Sequence, residues 1–422
     1  MAFRFVHTAD LHLDSPLRSL SLRNPELAGL IGGATRAALT AIVDLCIEER
    51  VDALLIAGDL YDGDQTSMKT ARFLGAEMAR LADAGIAVFK IRGNHDATSR
   101  ITARLGLPDN VKVFGEKAET VTVSTGVDVV LHGISFAKPQ APESLLPRFA
   151  APVPDAVNIG LLHTSLGGTA GHDVYAPCSL AELSARGFRY WALGHIHKRD
   201  AYADGPATVV MPGIPQGRDI NEAGAKSVTL VTVSDDGSVQ AQERITSVAE
   251  FGRVTVDLSG IASWREAREA MEAALGRARE KARSPHLVAR LHLTGATPLA
   301  FRLRRDRDVL AEEIEAFAVG FGTLWIDKLV VEAGEPVEEG APASGDPLSE
   351  LSRLMRGEIR AAHGLRHEIE GLARELLNDL PAEARGFSGA DDAEFSEFLT
   401  RVIGEGSEEV LARLAAVEGE DA

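Results

Sequence analysis

Residues 87–96 read AVFKIRGNHD: a short apolar run, Ala87–Ile91, that stops at Gly93 and gives way at once to Asn94, His95 and Asp96. Four other stretches follow the same pattern. Phe3–Val6 leads to Asp10-Leu11-His12, and Ala53–Ala57 to Gly58-Asp59. Val157–Leu162 leads to His163, and Tyr190–Leu193 to Gly194-His195-Ile196-His197. Runs this short, rich in β-branched and aromatic residues and bounded by glycine, predict buried strands. Val127–Leu131 and Thr208–Met211 are further runs of the kind. Helix-period apolar spacing lies between them, as in Ala37-Ala38-Ala41-Ile42-Leu45 and Ala71-Leu74-Met78-Leu81. Strands interleaved with helices predict a layered α/β domain. In open α/β sheets, groups at the carboxyl ends of strands converge on one crevice, so five polar clusters at strand ends predict one site.

The residue types in that crevice specify its chemistry. Asp10, His12, Asp59, Asn94, His163, His195 and His197 supply seven nitrogen and oxygen donors. That is too many for one tetrahedral ion and suits two ions sharing a bridging carboxylate, an arrangement that can activate water and clamp the oxygens of a displacement at phosphorus. A set without thiolates favours Mn, Fe or Zn over Ca. On extended backbone Asp10 and His12 point the same way, as do His195 and His197. Asp96, next to His95, is a candidate either to hold that imidazole in one tautomer or to act purely as structural support. The remaining histidines, His7, His132, His172, His286, His292, His363 and His367, lack partner spacing and read as structural or surface groups. No G-x-S-x-G elbow and no G-x-x-x-x-G-K-[ST] phosphate loop occurs, which removes serine-hydrolase chemistry and ATP use by this chain.

In order, the blocks D-x-H, G-D, G-N-H-D, H and G-H-x-H resemble the calcineurin-like metallophosphoesterase signature. The wording around them, "HTADLHLDSPL", "IAGDLYDGDQ", "IRGNHD", "LLHTSLGG", "GHDVYAPC", "YWALGHIHKRD" and "MPGIPQGRDINE", is similar to the DNA-repair exonuclease branch of that family, the SbcD-like nuclease subunits, and most of all to the YhaO type. Asp14 stands where many SbcD-like sequences carry glycine, a departure that fits the YhaO type. The resemblance implies a four-layer α/β/β/α sandwich and two divalent ions, with Mn²⁺ the expected metal. One ion would be held by Asp10, His12, Asp59 and His197; the other by Asp59, Asn94, His163 and His195. His95 would be the general acid at the leaving oxygen, with Asp96 beside it; the plainer reading of His95 is a hydrogen-bonding support. The implied activity is two-metal DNA exo- or endonuclease chemistry in an SbcCD-like DNA-repair complex. The alternatives are a metallophosphoesterase acting on nucleotides or phosphoproteins, and an assembly subunit whose nuclease activity is dispensable.

At 422 residues the chain exceeds the ~250–300 at which single cores stop growing. The expected division is a nuclease domain over 1–245, a small α/β unit over 250–333 that would cap DNA, an acidic linker over 334–347, and helices over 348–422. In the second unit, Arg302, Arg304, Arg305 and Arg307 could lie along a phosphate backbone, or form a solvated charged face. The helical part carries an apolar stripe through Leu348, Leu351, Leu354, Leu365, Ile369, Leu372 and Leu376. It falls where SbcD-like proteins dock on an SbcC-like coiled-coil ATPase; packing back on the body or forming a homodimer are the other uses of such a stripe. Residues 331–422 hold 8 basic against 22 acidic side chains, so most of the net charge of −18 sits there and the preceding 330 residues are nearly neutral. Acidity therefore does not exclude a nucleic-acid substrate. Cys46 and Cys178 are too few for a disulfide framework. No apolar run approaches the ~20 residues of a membrane span, and Met1 runs straight into Phe3–Val6. The expected setting is the cytoplasm, without membrane contact.

Overall fold

The computed structural model describes residues 2–15, 25–61, 67–97, 107–124, 127–167, 174–205, 207–336, 347–380, 388–389 and 391–420. His172 and most of the 334–347 stretch lie outside the described residues. Two compact units divide the chain: Met1–Arg253 with Arg279–Ala289 and Thr323–Trp325, and Val254–Ala278 with Arg290–Gly322 and Ile326–Ala422. Among the described residues no single helix is long and apolar enough to cross a membrane.

The first unit opens with β1 (Phe3–Thr8), α1 (Pro25–Gly32), α2 (Ala34–Glu48), β2 (Ala53–Ala57), α3 (Met68–Asp83), β3 (Ala87–Ile91) and β4 (Val111–Val113). It continues through β5 (Glu119–Ser124), β6 (Asp128–Gly133), β7 (Val157–His163), α4 (Leu180–Ala185), β8 (Tyr190–Gly194), β9 (Asp200–Asp204), β10 (Ala207–Met211), β11 (Ser227–Val233) and β12 (Val239–Ile245). The strands form two six-stranded sheets, ordered β12-β11-β1-β2-β3-β4 and β5-β6-β7-β8-β10-β9. β1 to β4 run parallel, as do β6, β7, β8 and β10, while β5, β9, β11 and β12 pair antiparallel with their neighbours.

Alternation along the strands explains the layering. Leu54 and Ile56 of β2 join Leu39, Ile42 and Val43 of α2 and Leu74 and Met78 of α3 in one core. Ala53, Leu55 and Ala57 of the same strand join Phe5, Leu131, Ile159, Leu161 and Tyr190 in a second core, to which both sheets contribute. Leu162, Trp191 and Leu193 turn to a third core with Leu183 and Phe188. Strands covered on both faces carry near-continuous apolar sequence, which is why the central runs were legible without period-two alternation. This is the expected α/β/β/α order.

A polar side chain crosses the middle layer at His7. His7 is fully buried; Tyr190 Oη donates to its Nδ1 (2.9 Å), and its Nε2–H donates to the Leu193 carbonyl (3.0 Å). Burial pushes the His7 pKa down to about 3, so the ring is neutral and ties β1 to β8 without a charge. His132 is likewise structural, bonded to Asn158 at 2.8 Å.

A three-stranded sheet follows, ordered β13 (Ala249–Asp257), β14 (His286–Thr294) and β15 (Leu324–Val331). In the second unit α5 (Trp264–Lys281) buries Ala267, Met271, Ala274 and Leu275 on one stripe. After α6 (Ala300–Arg305), α7 (Arg307–Val319) buries Leu310, Ile314 and Ala318. The helical region comprises α8 (Pro347–Leu354), a π-helical stretch (Met355–Ile359), α9 (His363–Asp379) and α10 (Asp392–Glu420). It is not a detached tail, because α10 packs on α6. Phe395, Leu399, Ile403 and Leu411 are buried, whereas Leu372, Leu376, Val402, Val410 and Leu414 remain exposed.

Glu408 on α10 holds the arrangement together electrostatically. Arg356 donates to both of its carboxylate oxygens (3.0 and 2.9 Å), Arg360 donates to one (3.1 Å), and Arg304 of α6 stands 3.9 Å away. Burial opposes ionisation of Glu408, but the guanidiniums hold its carboxyl below the usual range. A depressed carboxyl contributes stability that is fully present above its unfolded pKa of about 4.5 and is lost as pH falls through the lower folded value. Glu408→Ala should destabilise the second unit by roughly 1–3 kcal/mol near neutral pH, read as earlier release of α10 in limited proteolysis. The difference from wild type should shrink below pH 4; a difference that persists there would contradict the ionic origin.

Candidate metal centre

All five polar blocks emerge at the carboxyl ends of parallel strands: β1, β2 and β3 in one sheet, β7 and β8 in the other. Backbone bonds stitch the first two loops together, with Asp10 N–H donating to Gly58 O (3.0 Å), His12 N–H to Asp59 O (3.1 Å) and Leu13 N–H to Leu60 O (3.0 Å). A side chain then joins the sheets. The Asp10 carboxylate accepts the His195 N–H on both oxygens, at 3.1 and 2.9 Å. Asp10, His12, Asp14, Asp59 and His195 all have positive φ, between 43° and 105°, so Asp10, His12 and His195 do not lie on the extended backbone that the sequence spacing suggested. Non-glycine residues rarely adopt positive φ; Asp and His tolerate it better than most, and such strain concentrates at functional sites.

Glycine is required where these loops meet. At Gly93 an added Cβ would overlap the Asp59 carboxylate and come within 2.8 Å of the His163 ring. Gly58, at φ +98°, leaves equally little room, since a Cβ there would run into His163 Nδ1.

Two donor groups converge: Asp10, His12 and His197, and Asp10, Asp59 and His163. His12 Nε2 and His197 Nε2 are 3.1 Å apart, close to the separation of two nitrogens bound ~2.0–2.1 Å from one ion. His163 Nδ1–H donates to Ala57 O (2.9 Å), which turns Nε2 toward Asn94 Oδ1 (3.0 Å) and Asp59 Oδ2 (3.3 Å). The His195 ring lies edge-on to His163 with centroids 5.2 Å apart. The seven donors expected from sequence thus sit in one cluster, and its chemistry fits divalent cations.

The charges show what a cation would relieve. Burial opposes ionisation of Asp59, yet His163, His12 and His95 hold its carboxyl well below the usual range. Burial raises the Asp10 carboxyl, with His163 and His197 pulling it back. His163 is buried too, but Asp59 and Asp10 outweigh that cost and lift its pKa to about 9. Burial and His163 push His195 down to about 3. A metal ion would compete with the proton on His163, so binding should strengthen as pH rises.

His95 and Asp96 take different roles. The His95 N–H donates to Asp59 Oδ1 (3.0 Å), and its half-buried ring stands edge-on to His12 with centroids 5.0 Å apart. Asp96 does not steady that ring, as its position in the sequence suggested. Its buried carboxylate accepts the N–H groups of Leu60 (3.1 Å) and Tyr61 (3.1 Å) and lies 3.5 Å from the buried Lys90 ammonium. Neighbouring side chains in the 94–97 turn diverge, so Asp96 braces the loop after β2 from behind.

Sequence reasoning assigned no role to Lys90, Arg218 or Glu222. Glu222 Oε1 accepts from His197 Nδ1 at 2.7 Å, and Arg218 donates to both Glu222 oxygens. In the arginine run, Arg304 is committed elsewhere: it donates to Ala300 O (3.2 Å) and Ala333 O (2.6 Å) and faces Glu408. Arg302 and Arg305 pair with Asp306, and Arg307 with Asp308.

Gly93→Ala should reduce Mn²⁺ affinity at least ~10-fold, since the methyl group displaces Asp59 or His163, and should cost about 1–3 kcal/mol of stability through overpacking. Calorimetric titration beside a thermal melt checks both; wild-type affinity would mean that the loop yields without moving a donor.

Comparison with known proteins agrees with this geometry. A family model described as calcineurin-like phosphoesterase matches residues 3–199, and one described as the middle domain of metallophosphoesterase YhaO matches residues 251–334. The YhaO metallophosphoesterase of Bacillus subtilis is 32% identical over 315 residues, covering 74% of this chain and 76% of that one. DNA double-strand break repair protein Mre11 of Methanopyrus kandleri is 26% identical over 392 residues, 85% of this chain and 77% of that protein. Its counterpart in Sulfurisphaera tokodaii is 26% identical over 254 residues, 55% and 60% respectively. With strand-end donors in the expected order and a relative matched over three quarters of its length, the chain belongs to the calcineurin-like metallophosphoesterase family, hydrolases that use divalent metal ions.

Proposed function

We propose that this protein is a two-metal-dependent DNA nuclease, hydrolysing phosphodiester bonds as the catalytic subunit of an SbcCD-like repair complex, with Mn²⁺ as its metal. The observation that carries the chemistry is the pair of donor groups sharing Asp10. Support for DNA comes from similarity to double-strand break repair proteins, which with Methanopyrus kandleri Mre11 reaches across 85% of the chain and so well past the phosphoesterase strands. Bound ions would supply a hydroxide at neutral pH and a clamp for phosphate oxygens.

The chain's own groups do the rest. Asp10 and Asp59 provide fixed negative charge, and their backbone partners at His195 and His95 hold them in place. His95, half-buried beside His12, would protonate the leaving oxygen. Arg302, Arg305 and Arg307, with side chains 51%, 41% and 53% exposed, would meet the DNA backbone. Hydrolysis of nucleotides or phosphoproteins is the competing reading, because the donor cluster alone does not choose among phosphate esters.

The test is a labelled duplex incubated with Mn²⁺, with and without chelator. Degradation should stop in EDTA and return with metal; undiminished cleavage after confirmed metal removal would defeat the reading. His95→Gln should keep its metal while turnover falls ~10²–10⁴-fold, the usual range for a general acid. Loss of bound metal in that variant would make His95 a ligand instead.

We further infer that α9 docks on a coiled-coil ATPase of the SbcC kind. Leu372 and Leu376, four residues apart and 66% and 58% exposed, form an uncovered apolar ridge. Leu372→Asp with Leu376→Asp should abolish co-purification with such an ATPase and leave Mn²⁺-dependent hydrolysis of short substrates intact. Wild-type co-purification would refute the docking role, and loss of a homodimer instead would identify the ridge as a self-interface.

A further inference from the structure

Glu222 lies 25 residues beyond His197, in the short 3-10 turn Ile220–Glu222. Its placement is over-determined. Arg218 donates its backbone N–H to Oε2 (2.8 Å), its Nε to both oxygens (3.2 Å) and its Nη2 to Oε1 (2.8 Å). The Glu222 N–H donates to Asp219 O (3.1 Å), and the Ile214 N–H donates to the carbonyl of His197 itself (3.0 Å). The segment is thus fastened to the residue that its carboxylate faces.

A neutral imidazole has one N–H, and the partner of one nitrogen decides what the other can do. Facing Glu222 Oε1 at 2.7 Å, Nδ1 of His197 carries the proton, and Nε2 offers its lone pair on the side of His12. Arg218 Nη2 is also close to Nδ1, at 3.3 Å. A guanidinium can only donate. Were the carboxylate missing, Arg218 would favour a lone pair on Nδ1 and a proton on Nε2, where a cation must bind.

We propose that Glu222 is a positioning residue for metal binding: it holds His197 in the Nδ1–H tautomer against the opposing pull of Arg218. Carboxylates behind metal-binding histidines also raise the basicity of the coordinating nitrogen, and their loss typically costs ~10–100-fold in affinity. The opposed arginine adds a feature a simple support would lack. Deleting Glu222 alone leaves a harmful neighbour in place, whereas deleting both removes the conflict.

The experiment is calorimetric titration of metal-free, full-length protein with Mn²⁺. Glu222→Ala should weaken one of the two binding events by about 10–100-fold. Glu222→Gln keeps an acceptor opposite Nδ1 and should stay close to wild type, and Glu222→Ala combined with Arg218→Met should recover much of the loss. Unchanged affinity in Glu222→Ala, or a double variant no better than the single, overturns the proposal. If Glu222→Ala does not fold, long-range ¹H–¹⁵N correlation of histidine-labelled wild-type protein loaded with diamagnetic Zn²⁺ decides directly. His197 should coordinate through Nε2 and keep Nδ1–H; coordination through Nδ1 overturns the role. The inference rests on the site being a metal centre and on no substrate. Wild-type protein that binds no Mn²⁺ would sink that reading and this one together, whereas failure in the variants alone removes only the role of Glu222.

Discussion

Two carboxylates, Asp10 and Asp59, lie buried where the strands of two sheets end, and the surrounding structure answers the cost of putting them there. An isolated carboxylate in an apolar interior would protonate rather than stay charged. Asp59 is kept ionised by a buried imidazole, a backbone N–H and the rings around it. Asp10 has one backbone N–H from the opposite sheet, and burial still raises its pKa. That residual imbalance is the physical argument for a cation at this point. Divalent charge satisfies both carboxylates together, which a single proton shared through His163 does only in part.

Much of this was legible in the sequence because its signals are local. A strand buried on both faces announces itself as an unbroken apolar run, and a glycine followed by polar residues marks its end. The edge strands were harder. Asp200–Asp204 is short and carries an aspartate at each end, as edge strands with charged side chains often do, and nothing in its composition separates it from a loop. Non-local partners were harder still. Glu222 follows no apolar strand, and the link that gives it meaning is a side-chain contact to a residue 25 positions earlier. Asp96 stood open between steadying His95 and supporting the structure, since adjacency in a turn implies nothing about shared direction; its carboxylate braces Leu60 and Tyr61.

The helical region shows the same limit at longer range. Its apolar stripe through Leu372 and Leu376 was visible, but that these stay exposed while Leu399, Ile403 and Leu411 of α10 are buried depends on which face meets α6. The run around Arg304 read as one basic patch. Glu408, about a hundred residues later, takes Arg304 out of that patch, and Asp306 and Asp308 blunt the others.

The gathering of Arg304, Arg356 and Arg360 around Glu408 has a practical side. A chain cut between α9 and α10 keeps all three guanidiniums and loses the carboxylate that occupies them. Its most acidic region would then expose a compact cationic surface of the kind that holds polyanions without regard to sequence. Tighter DNA binding by such a shortened protein would report the loss of an internal counter-ion and not the unmasking of a native nucleic-acid site.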